Sequence, residues 1–186
     1  MTEPTPGPAD YARSCVGRYV AGQAAPPAPD DPFYEQRAAC FVTLKKHGEL
    51  RGCIGTLEPA EAALGAEIAR NARSSALRDP RFPPVDREEL AAITVSVDVL
   101  SPSEACAVSD LDPAVYGVIV QTGSRRGVLL PALDGIDTIA AQVGIALQKA
   151  GIRGDEPFDV ERFTVERYRE GDPPRAEPPA AHGADD

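Results

Sequence analysis

An α+β domain is predicted, built from two internally duplicated β-β-α-β units that share one mixed sheet flanked by helices. Three observations carry this. One stretch alternates strictly, with Ile93, Val95, Val97 and Val99 against Thr94, Ser96 and Asp98, the period of a half-buried strand. Two stretches place apolar residues four apart, Leu64-Ile68-Ala72 and Ile139-Val143-Leu147, the seam of an amphipathic helix. The same order of elements then recurs, with Arg51-Gly52-Cys53-Ile54 and Arg126-Gly127-Val128-Leu129 in equivalent places 75 residues apart. Strands and helices in this succession indicate α+β architecture rather than a wound parallel sheet.

In chain order, residues 1–9 are expected to be disordered, residues 10–170 to form the domain, and the Pro-rich acidic tail 171–186 to be disordered, because such composition cannot offset the entropy of ordering. Tyr11, Cys15, Val16, Tyr19 and Val20 lie at helical spacing, with Gly22 as a stop and a Pro-rich connector to Pro32. Residues 39–45 and 50–56 read as a hairpin turned at His47-Gly48. A two-residue turn there places Val42 opposite Cys53, with Cys40 diagonal to it on the same face. Pro59 and Glu61 suit the first turn of a helix that runs toward Leu77; Asp79-Pro80 and Pro83-Pro84 forbid its continuation. After the alternating strand, residues 117–122 and 127–130 form a second hairpin and residues 135–150 a helix ended by Gly151. Residues 158–168 close as one further strand.

The chain has 186 residues, no tryptophan and a formal charge of −10, of which −2 lies in residues 1–32 and −3 in residues 171–186. An acidic balance argues against a nucleic-acid or anionic-membrane surface. No apolar run reaches membrane-spanning length and the N-terminus lacks a secretory pattern, so the cytoplasm is the expected compartment. Phosphate-loop, zincin and dinucleotide fingerprints are missing, so the sequence calls for no cofactor. Cys15, Cys40, Cys53 and Cys106 form no Cys-x-x-Cys pair, which gives no metal site. The hairpin register admits a transient Cys40–Cys53 bridge, although cytosolic disulfides are rare. His47 is the one histidine outside the tail, and it stands in a turn.

The candidate site is Arg51-Gly52-Cys53-Ile54-Gly55-Thr56. Two glycines in one strand weaken it and need a reason, such as close approach by a ligand or by another backbone, or a bulge. Arg51 and a nearby helix start would favour a thiolate at Cys53 or a bound anion. The same sulfur equally reads as a small packed hydrophobe, and Val128 stands at its place in the second unit. Lys45, Lys46, Arg73, Arg78 and Arg81 are further sources of positive charge. Asp79-Pro80-Arg81-Phe82-Pro83-Pro84-Val85 reads either as a stiff connector with a surface ion pair or as one wall of a cleft beside residues 52–55. The ligand-binding set is therefore Arg51, Gly52, Cys53, Gly55, Thr56, Asp79 and Arg81, with Cys53 as the candidate catalytic group.

The run from Phe41 through Pro59, the 79–85 motif, Val95-Ser96-Val97-Asp98-Val99 and Gly127-Val128-Leu129-Leu130-Pro131 resemble the AMMECR-domain family, of which residues 50–55 match the hallmark. The resemblance covers about residues 10–170. It implies an α+β domain with a duplicated, partly barrel-like sheet and a cleft between two lobes. It also implies the A component of a three-part set, whose other members are a Memo-like protein and a radical S-adenosylmethionine protein. The family has no established reaction, which leaves a binding or accessory module, with room for a small-molecule ligand, as the leading reading and a thiol-dependent enzyme or redox protein using Cys53 as the alternative. The chain departs from the family pattern at Ile136-Asp137-Thr138-Ile139, where members carry a Trp-Asp pair.

Overall fold

In a computed structural model of the chain, which describes residues 5–175, the elements follow in the order α1 (Pro8–Val20), α2 (Pro32–Glu35), β1 (Cys40–Lys46), β2 (Glu49–Gly55), α3 (Leu64–Leu77), β3 (Ile93–Leu100), β4 (Glu104–Ala105), β5 (Gly117–Thr122), β6 (Arg125–Leu129), α4 (Ile139–Ala150), β7 (Asp159–Phe163) and β8 (Val165–Arg169). The α+β class stands. The single mixed sheet does not: among the described residues the strands divide into two four-stranded sheets, β2-β1-β3-β8 and β4-β7-β5-β6, with no closed barrel. The β1–β2, β1–β3, β4–β7, β5–β6 and β5–β7 pairings are all antiparallel. The described residues pack as two compact units, one of residues 5–100 and 166–175, the other of residues 101–165. The expected disorder at 1–9 and 171–186 falls outside the described residues at 1–4 and 176–186.

In the first unit, α1 and α3 cover one face of the sheet. Cys40, Val42 and Leu44 of β1, Val95, Val97 and Val99 of β3, and Leu64, Ile68 and Ala72 of α3 form its core with Phe33, Tyr34 and Tyr168. Helix α3 starts five residues later than Pro59, at Leu64. The amides of Ala60 and Glu61 donate to the Glu67 carboxylate at 2.8 and 2.7 Å instead of entering a helix. In the second unit, α4 covers the β5–β6 hairpin through Val143, Ala146 and Leu147. Thr138 caps α4, its Oγ1 accepting from the Ala141 amide, and Gly151 ends it at φ 66°, a left-handed turn that suits glycine.

The closing strand is two strands. The ladder is interrupted at Thr164, whose carbonyl accepts from the Ser101 amide and whose amide donates to Ser101 Oγ, and β7 and β8 join different sheets. The first hairpin also differs from expectation. His47 and Gly48 have φ 52° and 86°, a two-residue turn with both centres left-handed, but the register shifts between Leu44 and Lys45 and leaves Arg51 as the extra residue of a bulge. Thr43, not Val42, stands opposite Cys53. A one-residue slip reverses the face of every side chain beyond it, so Cys53 lies on the face away from Cys40 and the Cys40–Cys53 bridge is ruled out. All four cysteines are free.

Candidate functional site

Gly52 and Gly55 both serve packing. A Cβ on Gly52 would lie 2.3 Å from the carbonyl oxygen of Ser75, so β2 and α3 touch backbone to backbone there. The Ser75 hydroxyl reinforces the contact, donating to the Val42 carbonyl at 2.7 Å and accepting from the Ile54 amide at 2.8 Å. A Cβ on Gly55 would enter the Phe41 ring at 2.3 Å. Thr56 belongs to the same scaffold, its amide donating to the Cys40 carbonyl at 3.1 Å and its hydroxyl to Glu67. Close approach by another part of the chain accounts for the glycines, and hydrogen bonds to Cys40 and Glu67 hold Thr56.

Arg51 is turned away from the thiol. The bulge re-aims it onto Glu89, with Nε 2.9 Å and Nη2 2.7 Å from the two carboxylate oxygens, where Lys46 joins at 2.9 Å. The Arg51 and Lys46 hydrogen bonds pull the Glu89 carboxyl down to about 2. The expectation that Arg51 lowers the Cys53 pKa is therefore corrected. Burial pushes that thiol up, against smaller opposing pulls from Thr43 and Arg81, which leaves it protonated at neutral pH. Of the further cations named above, Arg73 lies over the Tyr19 ring and Lys46 is held by Glu89; only Arg81 reaches Cys53.

Asp79 and Arg81 grip the main chain of Cys53. The Cys53 amide donates to Asp79 Oδ2 at 2.9 Å, and its carbonyl accepts from Arg81 Nη2 at 3.0 Å. Arg81 in turn forms a fork on Asp79, Nε to Oδ1 2.9 Å and Nη2 to Oδ2 2.7 Å. Because β2 is an edge strand, its outward amide and carbonyl would otherwise be open to pairing; a donor–acceptor pair of side chains occupies them as a neighbouring strand would. The Arg81 hydrogen bonds hold the Asp79 carboxyl well below the usual carboxylate range.

Alternation then places Cys53, Thr43, Ser96 and Asp98 on the face opposite α1 and α3. Thr43 Oγ1 and Cys53 Sγ are 3.2 Å apart. Asp98, buried despite standing on this side, takes a fork from Arg167 of β8, Nε to Oδ1 2.6 Å and Nη2 to Oδ2 2.7 Å. The sequence marked the position of Asp98 only as the polar side of a strand and gave Arg167 no role. Their union across 69 residues has no local signal, although two polar residues on the same alternating faces were the trace of it.

A family model of AMMECR1 matches residues 9–171. The chain belongs to the AMMECR1 family. A protein of Thermotoga maritima is 51% identical over 142 residues, 75% of this chain and 82% of that protein. A Clostridium acetobutylicum protein, CA_C1420, is 44% identical over 163 residues, 86% of this chain; the chain spans only 35% of that relative's length. The crystal structure of PH0010 from Pyrococcus horikoshii superposes with a TM-score of 0.74 at 30% identity, covering 89% of this chain and 91% of that one.

In this AMMECR1 chain, then, residues 50–55 form a bulged edge strand seated on α3, and residues 79–81 are its clamp. The second unit carries a pocket of its own. Ile136 and Asp137 line a pocket of about 340 Å³ together with Asp112, Pro113, Leu133 and Asp134. No group of three or more His, Cys, Asp or Glu among the described residues is placed to hold a metal ion, and no helix among them is long and apolar enough to cross a membrane.

Two clamps on one strand give an acid dependence. Folded Glu89 takes up its proton only near pH 2, whereas an unfolded glutamate does so near pH ~4.3. Between these values the unfolded chain binds more protons, so stability falls as pH drops through that window. Asp79 acts in the same direction, further into acid. The urea midpoint is expected to decline from about pH 5 to about pH 2.5, and less steeply in Glu89→Gln than in the parent. An equal slope in both would show that the Arg51–Glu89–Lys46 cluster contributes nothing.

Proposed function

We propose that this chain is a binding module whose working surface is the Cys53 face of the first sheet, and that it acts by docking with a Memo-like protein and a radical S-adenosylmethionine protein. The observation that carries the reading is the use made of the motif residues. Asp79 and Arg81 are committed to the Cys53 peptide and Arg51 to Glu89. The downward pull of Arg81 on the thiol is outweighed by burial, which retains its proton. Such an arrangement fixes the shape of a surface; it does not prepare a nucleophile. The thiol-enzyme alternative loses its electrostatic support on the same grounds. The duplication is part of the reading too: Gly52 against Ser75 and Gly127 against Ala146 are the same hairpin-to-helix contact made twice.

Two measurements test it. Cys53 is expected to resist alkylation in the folded protein until the pH passes that of a free thiol, ~8.5; rapid reaction at pH 7 would restore the enzyme reading. The full chain is expected to associate with its two partner proteins from the same organism at micromolar concentration. That association should be lost in Arg81→Glu and kept in Arg125→Glu, a residue of the other sheet. No association with either partner, with or without their cofactors, would overturn the docking role.

A further inference from the structure

We infer that the outer face of the α1–α3 layer is a second docking surface, which takes a short acidic segment of a partner protein on the guanidinium groups of Arg18, Arg70, Arg73 and Arg78. It lies on the other side of the first sheet from Cys53 and is independent of the docking role of that face. The exposed positions of α3 carry Ala66, Arg70 and Arg73, with Arg78 exposed at its C-cap, and the helix's one acid, Glu67, is buried. Most of the chain's other arginines are held in ion pairs, as Arg51 is by Glu89 and Arg125 by Glu156. This group differs. No ion pair or hydrogen bond among the described residues engages the guanidinium of Arg73 or Arg78. Arg18 donates through Nε to the Ala24 carbonyl at 3.1 Å, which leaves its outer nitrogens unengaged. Arg70 meets Glu61 at 3.5 Å with the two side chains 50% and 40% exposed, a pair that contributes little and yields to a competing carboxylate.

Contact between the two helices gathers these side chains into one ridge. Arg70 and Arg73, three residues apart, are neighbours on the helix surface. Arg73 lies over the Tyr19 ring, its guanidinium carbon 5.6 Å from the centroid, which ties α3 to the last turn of α1. Around α1, Arg18 falls between Tyr19 and the exposed Ser14, so it stands on the solvent side of the same seam. Gly17 beside it would meet nothing within 4 Å of an added Cβ, which leaves the approach open to another backbone. Asp10, the one acid of α1, is at the far end of that helix and accepts from the Gly171 amide. A guanidinium stacked on a ring keeps its N–H edges free for the two oxygens of a carboxylate. From Arg70 to Arg78 the ridge runs about 12 Å, the span of roughly four residues of extended chain. The occupant that fits is a peptide with several Asp or Glu residues in close succession. A nucleic acid is the poorer match, because its phosphates would run on past the ridge over a chain whose total charge is −10.

The test is a titration of the isotopically labelled full chain, at low ionic strength, with a capped hexaglutamate peptide and, separately, with an oligothymidylate of equal charge. The amides of residues 17–19 and 70–78 are expected to shift saturably with hexaglutamate below roughly 1 mM, and binding should weaken as sodium chloride is added. The Cys53 and Thr43 amides should not move. Arg70→Gln and Arg73→Gln should each weaken binding about 2- to 5-fold, and the Arg70→Glu/Arg73→Glu double variant should abolish it. The two single variants keep the apolar seam of α3 and decide the matter if the double variant fails to fold. Arg153→Glu, in the second unit, should bind as the parent does. No saturation with hexaglutamate, shifts confined to other residues, or binding unchanged by the arginine substitutions would overturn the surface. Oligothymidylate binding as tightly as hexaglutamate at the same residues would also overturn it, by showing a general polyanion site in place of one for an acidic peptide.

Discussion

Replacing Gly52 by alanine is expected to lower the melting temperature by ~6 °C or more, the consequence of a loss of about 3 kcal/mol in a chain of this size. The new methyl would stand 2.3 Å from the Ser75 carbonyl oxygen and 3.2 Å from its carbon. Neither can swing aside, because both are helix backbone and Ser75 is bonded to β1 and β2. Either α3 lifts off the sheet, opening the core around Leu44 and Ala72, or β2 slips and loses the register that sets Cys53 opposite Thr43. Gly127→Ala should behave in the same way in the second unit, where the methyl would meet the Ala146 carbonyl oxygen at 1.9 Å. Gly17→Ala is the control. It lies in α1 with nothing within 4 Å of its added Cβ, so alanine there should stabilise by about 0.5–1 kcal/mol. A Gly52→Ala protein melting within a degree of the parent would show that the backbone contact does not hold the hairpin.

Glu67→Ala is expected to be at least as damaging, at about 3–5 kcal/mol. Glu67 is fully buried at the start of α3 and collects four donors: the amides of Ala60 and Glu61, the Thr56 hydroxyl and the Asn71 amide nitrogen at 3.3 Å. These groups order the loop between β2 and α3 in place of the helical turn expected at Pro59. Removing the carboxylate takes the shared acceptor from the Ala60, Glu61 and Thr56 donors, leaves Asn71 with the Cys40 carbonyl, and opens a cavity. Glu67→Gln keeps the volume but points an N–H at donors, and should cost about 1–3 kcal/mol. Hydrogen exchange gives the specific readout. The Ala60 and Glu61 amides should lose protection in both variants while the β1–β3 amides keep theirs in Glu67→Gln. Unchanged protection at Ala60 and Glu61 would refute the anchoring role.

Much of this was legible without coordinates where the physics is local. The β3 alternation and the four-residue seams of α3 and α4 marked buried faces that the structure fills, and Gly151 marked a helix end through its left-handed turn. Asp79 and Arg81 were readable as a coupled pair because three prolines hold them close. The start of α3 was misread because its cap is not a neighbouring side chain but the Glu67 carboxylate reaching back to Ala60 and Glu61. The split of β7 from β8 was hidden because alternation continues through Thr164, and only its pairing with Ser101 interrupts the ladder.

The amino-acid sequence by itself determined most of the elements, the α+β class and the family, since hydrophobic period, turn chemistry and short motifs are properties of adjacent residues. Tertiary structure alone decided which way Cys53 faces and what surrounds it. One bulged residue, Arg51, reverses the parity of the hairpin, and the sulfur passes from the side of Cys40 to the side of Asp98 and Arg167. Register is set by contacts between distant segments, here β2 against α3 at a glycine with no side chain to hold them apart. No pattern within a single strand records that choice.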